Sequence, residues 1–206
     1  MFIMMNAKRV VKYNGEATYD VTIAGLRRLL PIIEIGEITV NNSRFRAYIA
    51  SDSELVLGDV EFISAVSSEL AKLIKKYNPE VIVTPEAKAI ALAYGVAKEL
   101  GVARFIVVRK SVKAYMGEYV YVKVNSITTK GDQFLVLDSH SMKYIKGKKV
   151  CIVDDVVSTG GTINALEELM SIANAHVVCK AAVWIEGPWV NDDEVLHIAE
   201  LPIFIA

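Results

Sequence analysis

The sequence predicts an α/β protein in which a mainly parallel sheet is flanked by helices. From residue 58 onward, short apolar runs of strand length alternate with longer segments of helical periodicity. The repeated order of strand, helix and strand is typical of right-handed crossovers, which make the strands parallel. We therefore expect residues 58–206 to form the core, and residues 1–57 to form a small hood together with the C-terminal tail.

Length, composition and charge agree with a single α/β domain. The chain has 206 residues, of which 53% are hydrophobic, and its net charge is −1. A charge this small gives no broad attraction to nucleic acid or to an anionic membrane. The apolar start at residues 1–5 is too short for a signal peptide, and no later stretch has 18 uncharged apolar residues. We expect neither nucleic acid nor a membrane as a partner.

The two cysteines predict buried thiols rather than a disulfide framework. Cys151 and Cys179 each lie within an apolar run, and free cysteine is among the most buried residue types. Unpaired thiols suit a reducing compartment, so a cytoplasmic location is expected.

The first 57 residues carry the weaker patterns. Residues 23–30 have a helical pattern, whereas residues 37–40 and 45–50 alternate between apolar and polar side chains. The Asn-Asn-Ser segment at 41–43 is typical of a hairpin turn. We expect one short helical segment and one β-hairpin in the hood.

From residue 58 the helices and strands are easier to assign. Asp59 is placed to cap a helix that ends before Pro79, and Gly101 is typical of the residue just past a helix end. Predicted helices span 59–77, 87–100 and 161–173, and predicted strands span 81–84, 104–108, 149–154, 177–185, 194–198 and 203–205. Residues 119–127 and 133–137 predict a hairpin that turns at 128–132, and residues 143–149 predict a basic turn.

The most informative stretch joins the strand at 149–154 to the helix that begins at 161. Backbone N–H groups of such a turn, and of the helix start, bind phosphate. Asp154 and Asp155 would repel that phosphate, so they suit sugar hydroxyls and a divalent metal instead. Phosphate on one side and a diol on the other describe a ribose 5-phosphate. The predicted phosphate ligands are Val157, Ser158, Thr159, Gly160, Gly161 and Thr162.

This stretch resembles the phosphoribosyl-diphosphate (PRPP) loop of type I phosphoribosyltransferases, and in particular of the adenine-type branch. The resemblance implies the fold of that family and a pentosyltransferase activity with PRPP and a purine base as substrates. It also implies Mg²⁺ bound with PRPP, with Asp154 and Asp155 as its protein ligands. Most related enzymes are homodimers, so a homodimer is expected.

A second anion-binding loop is expected where another buried strand leads into a helix. Residues 83–89 resemble the diphosphate-binding loop of the adenine branch, with Lys88 in place of the usual arginine and Ala89 in place of glycine. The resemblance implies a cis peptide bond near Glu86-Ala87. The residues it assigns to diphosphate are Thr84, Pro85, Glu86, Ala87 and Lys88.

Basic residues and a lid complete the predicted diphosphate site. Arg109 and Lys110 directly follow a strand, and Lys113 comes three residues later. Because ligands of parallel sheets sit beyond the carboxyl ends of the strands, Thr84, Arg109 and Asp154 are expected to converge. Residues 116–119 resemble part of the mobile loop of purine enzymes, which implies a catalytic role for Glu118. The resemblance as a whole implies catalytic roles for Arg109, Asp154 and Asp155 as well.

The sequence indicates less clearly which purine base is the substrate. Hypoxanthine-guanine enzymes carry an aspartate at the position of Ser158, whereas adenine enzymes carry a small residue there. Adenine is therefore favoured, and the alternative is a hypoxanthine/guanine enzyme of the adenine-type branch. Trp184, Ile185 and Glu186 are the candidate base-binding residues, because they follow the strand after the phosphate helix.

A regulator is the alternative from another functional class. Purine repressors keep the same loop and sense PRPP without catalysis, but they carry an N-terminal helix-turn-helix. Residues 1–57 contain no convincing pair of short helices. Purine salvage by a phosphoribosyltransferase is therefore the leading hypothesis.

Overall fold

The computed structural model describes residues 9–40, 43–124 and 133–206. The predictions for 1–5, for 41–42, for the end of the strand at 125–127 and for the turn at 128–132 lie outside these residues. The strands are β1 (Val10–Lys12), β2 (Thr18–Ile23), β3 (Leu26–Val40), β4 (Ser43–Ala50), β5 (Val81–Pro85), β6 (Phe105–Val108), β7 (Tyr119–Val124), β8 (Gln133–Asp138), β9 (Lys149–Val157), β10 (His176–Glu186), β11 (Leu196–Leu201) and β12 (Ile203–Ile205). The helices are α1 (Ser53–Leu57), α2 (Val60–Ile74) with a 3-10 turn at Lys75–Tyr77, α3 (Ile90–Leu100), α4 (Ser139–Ile145) and α5 (Gly161–Ile172).

The central sheet confirms the predicted fold class. Its five strands run in the order β11-β10-β9-β5-β6, and every neighbouring pair is parallel. Helices α2 and α3 pack on one face through side chains such as Phe62, Leu70 and Leu92. Helix α5 covers the other face through Leu166 and Leu169, together with the hairpin of β7 and β8.

A second sheet, the hood sheet, joins the two ends of the described chain. Its order is β1-β12-β4-β3-β2. Strand β12 lies between β1, to which it is parallel, and β4, to which it is antiparallel. The predicted pairing of residues 37–40 with the following strand is confirmed, with Val40 opposite Ser43. The division of the chain at residue 57 stays a prediction.

The predicted helical pattern at 23–30 is wrong. Ile23 of β2 pairs with Leu26 of β3, so the chain makes a two-residue hairpin turn there. Ala24 and Gly25 both adopt positive φ, of 50° and 78°. Such turns match the twist of the flanking strands, and this local geometry outweighs the helical spacing of the apolar residues.

Two further predictions need correction. Cys151 and Cys179 are buried, as expected, but they form a disulfide rather than two free thiols. The parallel register places them directly opposite each other on β9 and β10. The thiol-based reason for a cytoplasmic location is therefore removed. The basic turn at 143–149 is also shorter than predicted, because α4 extends to Ile145.

Helix boundaries follow from local capping. A side-chain oxygen of Asp59 accepts a hydrogen bond from the Phe62 N–H at 2.9 Å, which confirms the predicted cap of α2. Asp138 accepts from the Ser141 N–H at 2.8 Å and begins α4. Gly101 ends α3 with a φ of 70°. Within the described part of the chain, no helix is long and apolar enough to cross a membrane.

Close packing of α2 against α3 generates a stability prediction. A Cβ on Gly95 would lie 2.8 Å from Cβ of Ser67 and would overlap its hydroxyl. We expect Gly95→Ala to destabilise the protein by about 1–3 kcal/mol, because this overlap outweighs the better helix propensity of alanine. Thermal unfolding measures the change, with Gly117→Ala as the control, since nothing lies within 4 Å of the added carbon there. Equal melting temperatures for Gly95→Ala and the parent would contradict the prediction.

Candidate functional site

The carboxyl ends of β5, β9 and β10 border a cavity of about 320 Å³. Residues 154–163 of β9, the following turn and α5 form one side, and residues 85–88 after β5 form another. Trp184 and Glu186 line it from β10. The structure therefore brings both predicted anion-binding loops and part of the predicted base site into one space.

The turn after β9 leads directly into α5. Gly160 precedes the helix with a φ of 80°, a conformation that favours glycine. The first N–H groups of α5, from Gly161 onward, lack partners within the helix, as at every helix N-terminus. They are therefore available to an anion in the cavity, which residues 157–162 all line.

Two buried carboxylates lie beside this turn. Asp154 and Asp155 are 7% and 8% exposed, and Oδ1 of Asp154 accepts a hydrogen bond from the Asp155 N–H at 2.9 Å. Burial raises the pKa of Asp154 well above its usual range, and the negative charge of Asp155 raises it further. The Lys88 ammonium lies 3.6 Å from Oδ2 of Asp155. The charge of Lys110 lowers the pKa of Asp154, but burial and Asp155 outweigh it, so the fold favours the protonated form of Asp154.

The loop after β5 carries the expected cis peptide bond between Glu86 and Ala87. Glu86 accepts a hydrogen bond from the Lys110 N–H at 3.0 Å, and Oε1 lies 3.3 Å from Nη2 of Arg109. The Lys110 N–H lowers the pKa of Glu86 most, and the charges of Arg109, Lys113 and Lys110 lower it further. Glu86 therefore acts as an anchor for the loop after β6.

The predicted diphosphate residues differ in position. Pro85, Glu86, Ala87, Lys88 and Lys110 line the cavity. Thr84 is fully buried, and its hydroxyl has no partner among the described residues. Lys113 contacts the Ser111 hydroxyl at 2.7 Å, and Arg109 is held by Glu86. Lys88 and Lys110 are thus the predicted cations that reach the cavity wall.

Glu118, the predicted catalytic residue of the lid, does not line the cavity at the sheet edge. It borders a second cavity, of about 440 Å³, together with residues of α4 and the end of α5 such as Met142 and Ile172. The backbone oxygen of Glu118 accepts a hydrogen bond from the Ser139 N–H at 2.9 Å. In this conformation its carboxylate is not brought to the cavity at the sheet edge.

The three predicted base-binding residues are consecutive on β10, so their side chains alternate between the two faces of the strand. Ile185 is fully buried in the core that contains α5. Trp184 and Glu186 line the cavity, and the Trp184 ring stacks on Phe62 with centroids 5.5 Å apart. Burial raises the pKa of Glu186 to about 7, although a hydrogen bond from Ser158 and the charge of Lys88 oppose the shift.

The other cavity walls come from individual residues that the sequence analysis did not name as site residues. Leu30, Ile49 and Asp52 line it from the hood and the start of α1, and Phe134 lines it from β8. Leu201 does so from the end of β11. Each is distant in sequence from the loops it faces, so no local pattern could have indicated it.

The chemistry of the cavity suits a phosphorylated diol, with backbone donors for an anion on one side and carboxylates for hydroxyls on the other. Fold and cavity together define an α/β protein with an anion-binding turn at the carboxyl edge of its parallel sheet. Residues 59–193 match the phosphoribosyl transferase domain. The chain belongs to that family, which confirms the resemblance drawn from the loop after β9.

Individual relatives show which members of this family the chain resembles. The chain is 35% identical over 130 residues to adenine phosphoribosyltransferase of Clostridium botulinum, covering 63% of this chain and 72% of the relative. It is 34% identical over 149 residues to the purine biosynthesis transcriptional repressor PurR of Bacillus subtilis, covering 71% of this chain but 51% of the repressor. The crystal structure of adenine phosphoribosyltransferase from Thermoanaerobacter pseudethanolicus matches with a TM-score of 0.60 at 23% identity, covering 82% and 95% of the two chains. At this identity the structural match shows the fold.

The buried carboxyl of Glu186 generates a pH prediction. Its pKa is about 7 in the fold against 4.5 for an ordinary glutamate, so folding favours the protonated form. Its contribution to stability is complete below pH 4.5, falls as the pH rises through 7 and stays reduced above that. Glu186→Gln removes this penalty, and we expect it to stabilise the free protein by about 2–3 kcal/mol more at pH 8 than at pH 5.

Urea unfolding of the parent and Glu186→Gln at the two pH values measures the difference. Glu99→Gln serves as the control, because it removes an exposed carboxyl on α3. An equal effect of Glu186→Gln at pH 5 and pH 8 would show that the carboxyl is not held in its protonated form.

Proposed function

We propose that this chain is a purine phosphoribosyltransferase that transfers ribose 5-phosphate from PRPP to a purine base, with adenine favoured. The products are the nucleoside monophosphate and diphosphate. The observation that carries the proposal is that the turn at 157–162 and the carboxylates of Asp154 and Asp155 line one cavity. The similarity to adenine phosphoribosyltransferase of Clostridium botulinum supports the choice of base.

The two ends of PRPP are held by different loops in this proposal. Amides at 157–162 bind the 5-phosphate, and the hydroxyls of Ser158, Thr159 and Thr162 add hydrogen bonds. Asp154 and Asp155 accept hydrogen bonds from the ribose hydroxyls. Lys88 and Lys110 face the diphosphate, because they are the predicted cations on the cavity wall.

Transfer breaks the bond between sugar C1 and diphosphate, forms a bond from C1 to a purine nitrogen, and releases the proton of that nitrogen, which the departing diphosphate can accept. The leaving diphosphate takes the electron pair, and Lys88 and Lys110 stabilise the charge it gains. Arg109 acts through Glu86, which fixes the loop that carries Lys110. Attack by the purine depends mainly on positioning. The apolar walls from the hood and β8 limit the water that would otherwise hydrolyse PRPP.

Mg²⁺ fits the carboxylates of this cavity. Mg²⁺ in phosphoryl sites is bound by one or two carboxylates together with substrate phosphates. A cation beside Asp154 would favour the ionised form of its carboxyl, which burial disfavours. Within residues 9–40, 43–124 and 133–206, no three or more His, Cys, Asp or Glu side chains cluster to hold a metal. Asp154 and Asp155 would thus hold an ion that arrives with PRPP and adds positive charge near its diphosphate.

A regulator remains the second candidate, because of the similarity to the PurR repressor. In the described residues from 9 to 50, however, all the regular elements are strands, β1 to β4. A hood of strands offers no helix for the major groove of DNA. A gel-shift assay of the chain with its own upstream DNA, with and without PRPP, distinguishes a regulator from an enzyme.

Assembly and location complete the proposal. A homodimer is carried over from the resemblance to type I enzymes, and light scattering of the purified chain measures it. The cytoplasm is proposed because PRPP, with its charged phosphates, does not cross a bilayer unaided. An enzyme that uses PRPP therefore works in the compartment that makes it.

Asp155→Asn is expected to lower kcat by about 10² or more while leaving the fold intact. The aspartate pair is unfavourable in the free protein, so its loss should not lower the melting temperature. The measurement is diphosphate release from PRPP and adenine, beside circular dichroism. Asp193→Asn, an exposed aspartate in the loop before β11, is the matched control. Parent-like turnover by Asp155→Asn would remove its proposed role.

The proposed function itself is tested with a panel of bases. The chain is incubated with PRPP and Mg²⁺ and with adenine, hypoxanthine, guanine or xanthine, and diphosphate release is followed. We expect adenine to give the highest kcat/KM. A preference for a 6-oxopurine would correct the base, and absence of release with all four would overturn the enzyme assignment.

A further inference from the structure

One ion pair crosses the cavity between its two anion-binding segments. The ammonium of Lys88, in the loop after β5, lies 3.6 Å from Oδ2 of Asp155 on β9. Both residues line the cavity. In the free protein the contact therefore joins a cation assigned above to the diphosphate with a carboxylate assigned above to the metal.

The two partners of this pair differ in how firmly they are held. The side chain of Asp155 is 11% exposed, and its strand β9 is fixed between β5 and β10. The side chain of Lys88 is 49% exposed, and its ammonium is carried on a flexible four-carbon stem. Because an ion pair with so exposed a partner is weak, Lys88 is the member of the pair that can leave.

The position of Lys88 conflicts with that of a bound cation. Its ammonium stands against one of the two carboxylate oxygens that Asp155 offers to a metal ion. Two positive charges at one oxygen repel each other, so a divalent cation held by Asp155 would weaken the contact with Lys88. A diphosphate beside Lys88 would weaken the same contact from the other side, because it competes with Asp155 for the ammonium.

We propose that Lys88 exchanges partners when substrate binds: it neutralises Asp155 in the free protein and moves to the diphosphate when PRPP enters with its cation. Departure of Lys88 from Asp155 opens the carboxylate to the cation and supplies a positive charge to the diphosphate. Each ligand therefore favours the other through one side chain, in addition to their direct attraction. This inference rests on the proposed function, because it gives a second role to a residue of the same site.

The test first measures Mn²⁺ binding to the chain without PRPP. Mn²⁺ suits the same oxygen ligands as Mg²⁺, and electron paramagnetic resonance follows its free concentration. Lys88→Gln removes the ammonium, and we expect it to bind Mn²⁺ about three- to tenfold more tightly than the parent, because the competing charge is gone. With Mg²⁺ present, the same variant should raise the Kd for PRPP by about tenfold or more, because the diphosphate loses a charged partner. The two effects have opposite signs, which a purely structural role of Lys88 would not produce.

Two further variants separate partner exchange from a general effect of charge. Lys98→Gln removes an exposed lysine of α3 and should match the parent in both measurements. Lys110→Gln removes another positive charge of the cavity, one that acts on Asp154. If Lys110→Gln gains as much affinity for Mn²⁺ as Lys88→Gln does, net charge alone accounts for the gain and the exchange is overturned.

The remaining outcomes also decide between the possibilities. Mn²⁺ binding by Lys88→Gln no tighter than that of the parent would overturn the exchange, and so would a tighter Mn²⁺ site with an unchanged Kd for PRPP. Diphosphate release by the parent with the four purines is recorded separately. Release without a change in Mn²⁺ binding would remove only the exchange, whereas no release with any purine would remove the proposed function.

Discussion

Two acidic side chains buried beside an anion-binding turn are the constraint on which the rest of the structure depends. Burial and mutual repulsion make the pair of Asp154 and Asp155 unfavourable, as the raised pKa of Asp154 shows. Strand β9 holds them there because it pairs with β5 on one side and β10 on the other. The free protein therefore favours the protonated form of Asp154, and a ligand with a cation would favour the ionised form instead.

The positively charged groups of the cavity are positioned partly by an acidic residue. The net charge of −1 gives the protein no general attraction for anions, so local groups have to supply it. Glu86 supports that task although it is itself an acid, because it ties the loop after β5 to Arg109 and to the backbone of Lys110. Positioning by an internal ion pair leaves Lys88 and Lys110 directed at the cavity. Loss of the Glu86 carboxylate would remove both of these contacts.

Sequence reasoning succeeded where the signal was local and failed where it depended on distant contacts. The fold class followed from the alternation of strands and helices after residue 58, and the anion-binding edge of the cavity followed from the strand, acid pair and glycine turn at 150–162. The turn at Ala24-Gly25 was missed because apolar spacing suggested a helix. Glu118 sits by another cavity, and the disulfide between Cys151 and Cys179 depends on the register of two strands. Neither can be derived from spacing alone.

Strand β12 has a consequence for how the protein is made. It occupies an interior place in the hood sheet, between β1 and β4, although about 150 residues separate it from β4. During synthesis the edge of β4 therefore stays uncovered until residues 203–205 leave the ribosome. An open strand edge is a site for unwanted pairing between chains. Residues 203–205 therefore complete the hood sheet late in synthesis, after β3 and β4, which contribute Leu30 and Ile49 to the cavity wall, have been translated.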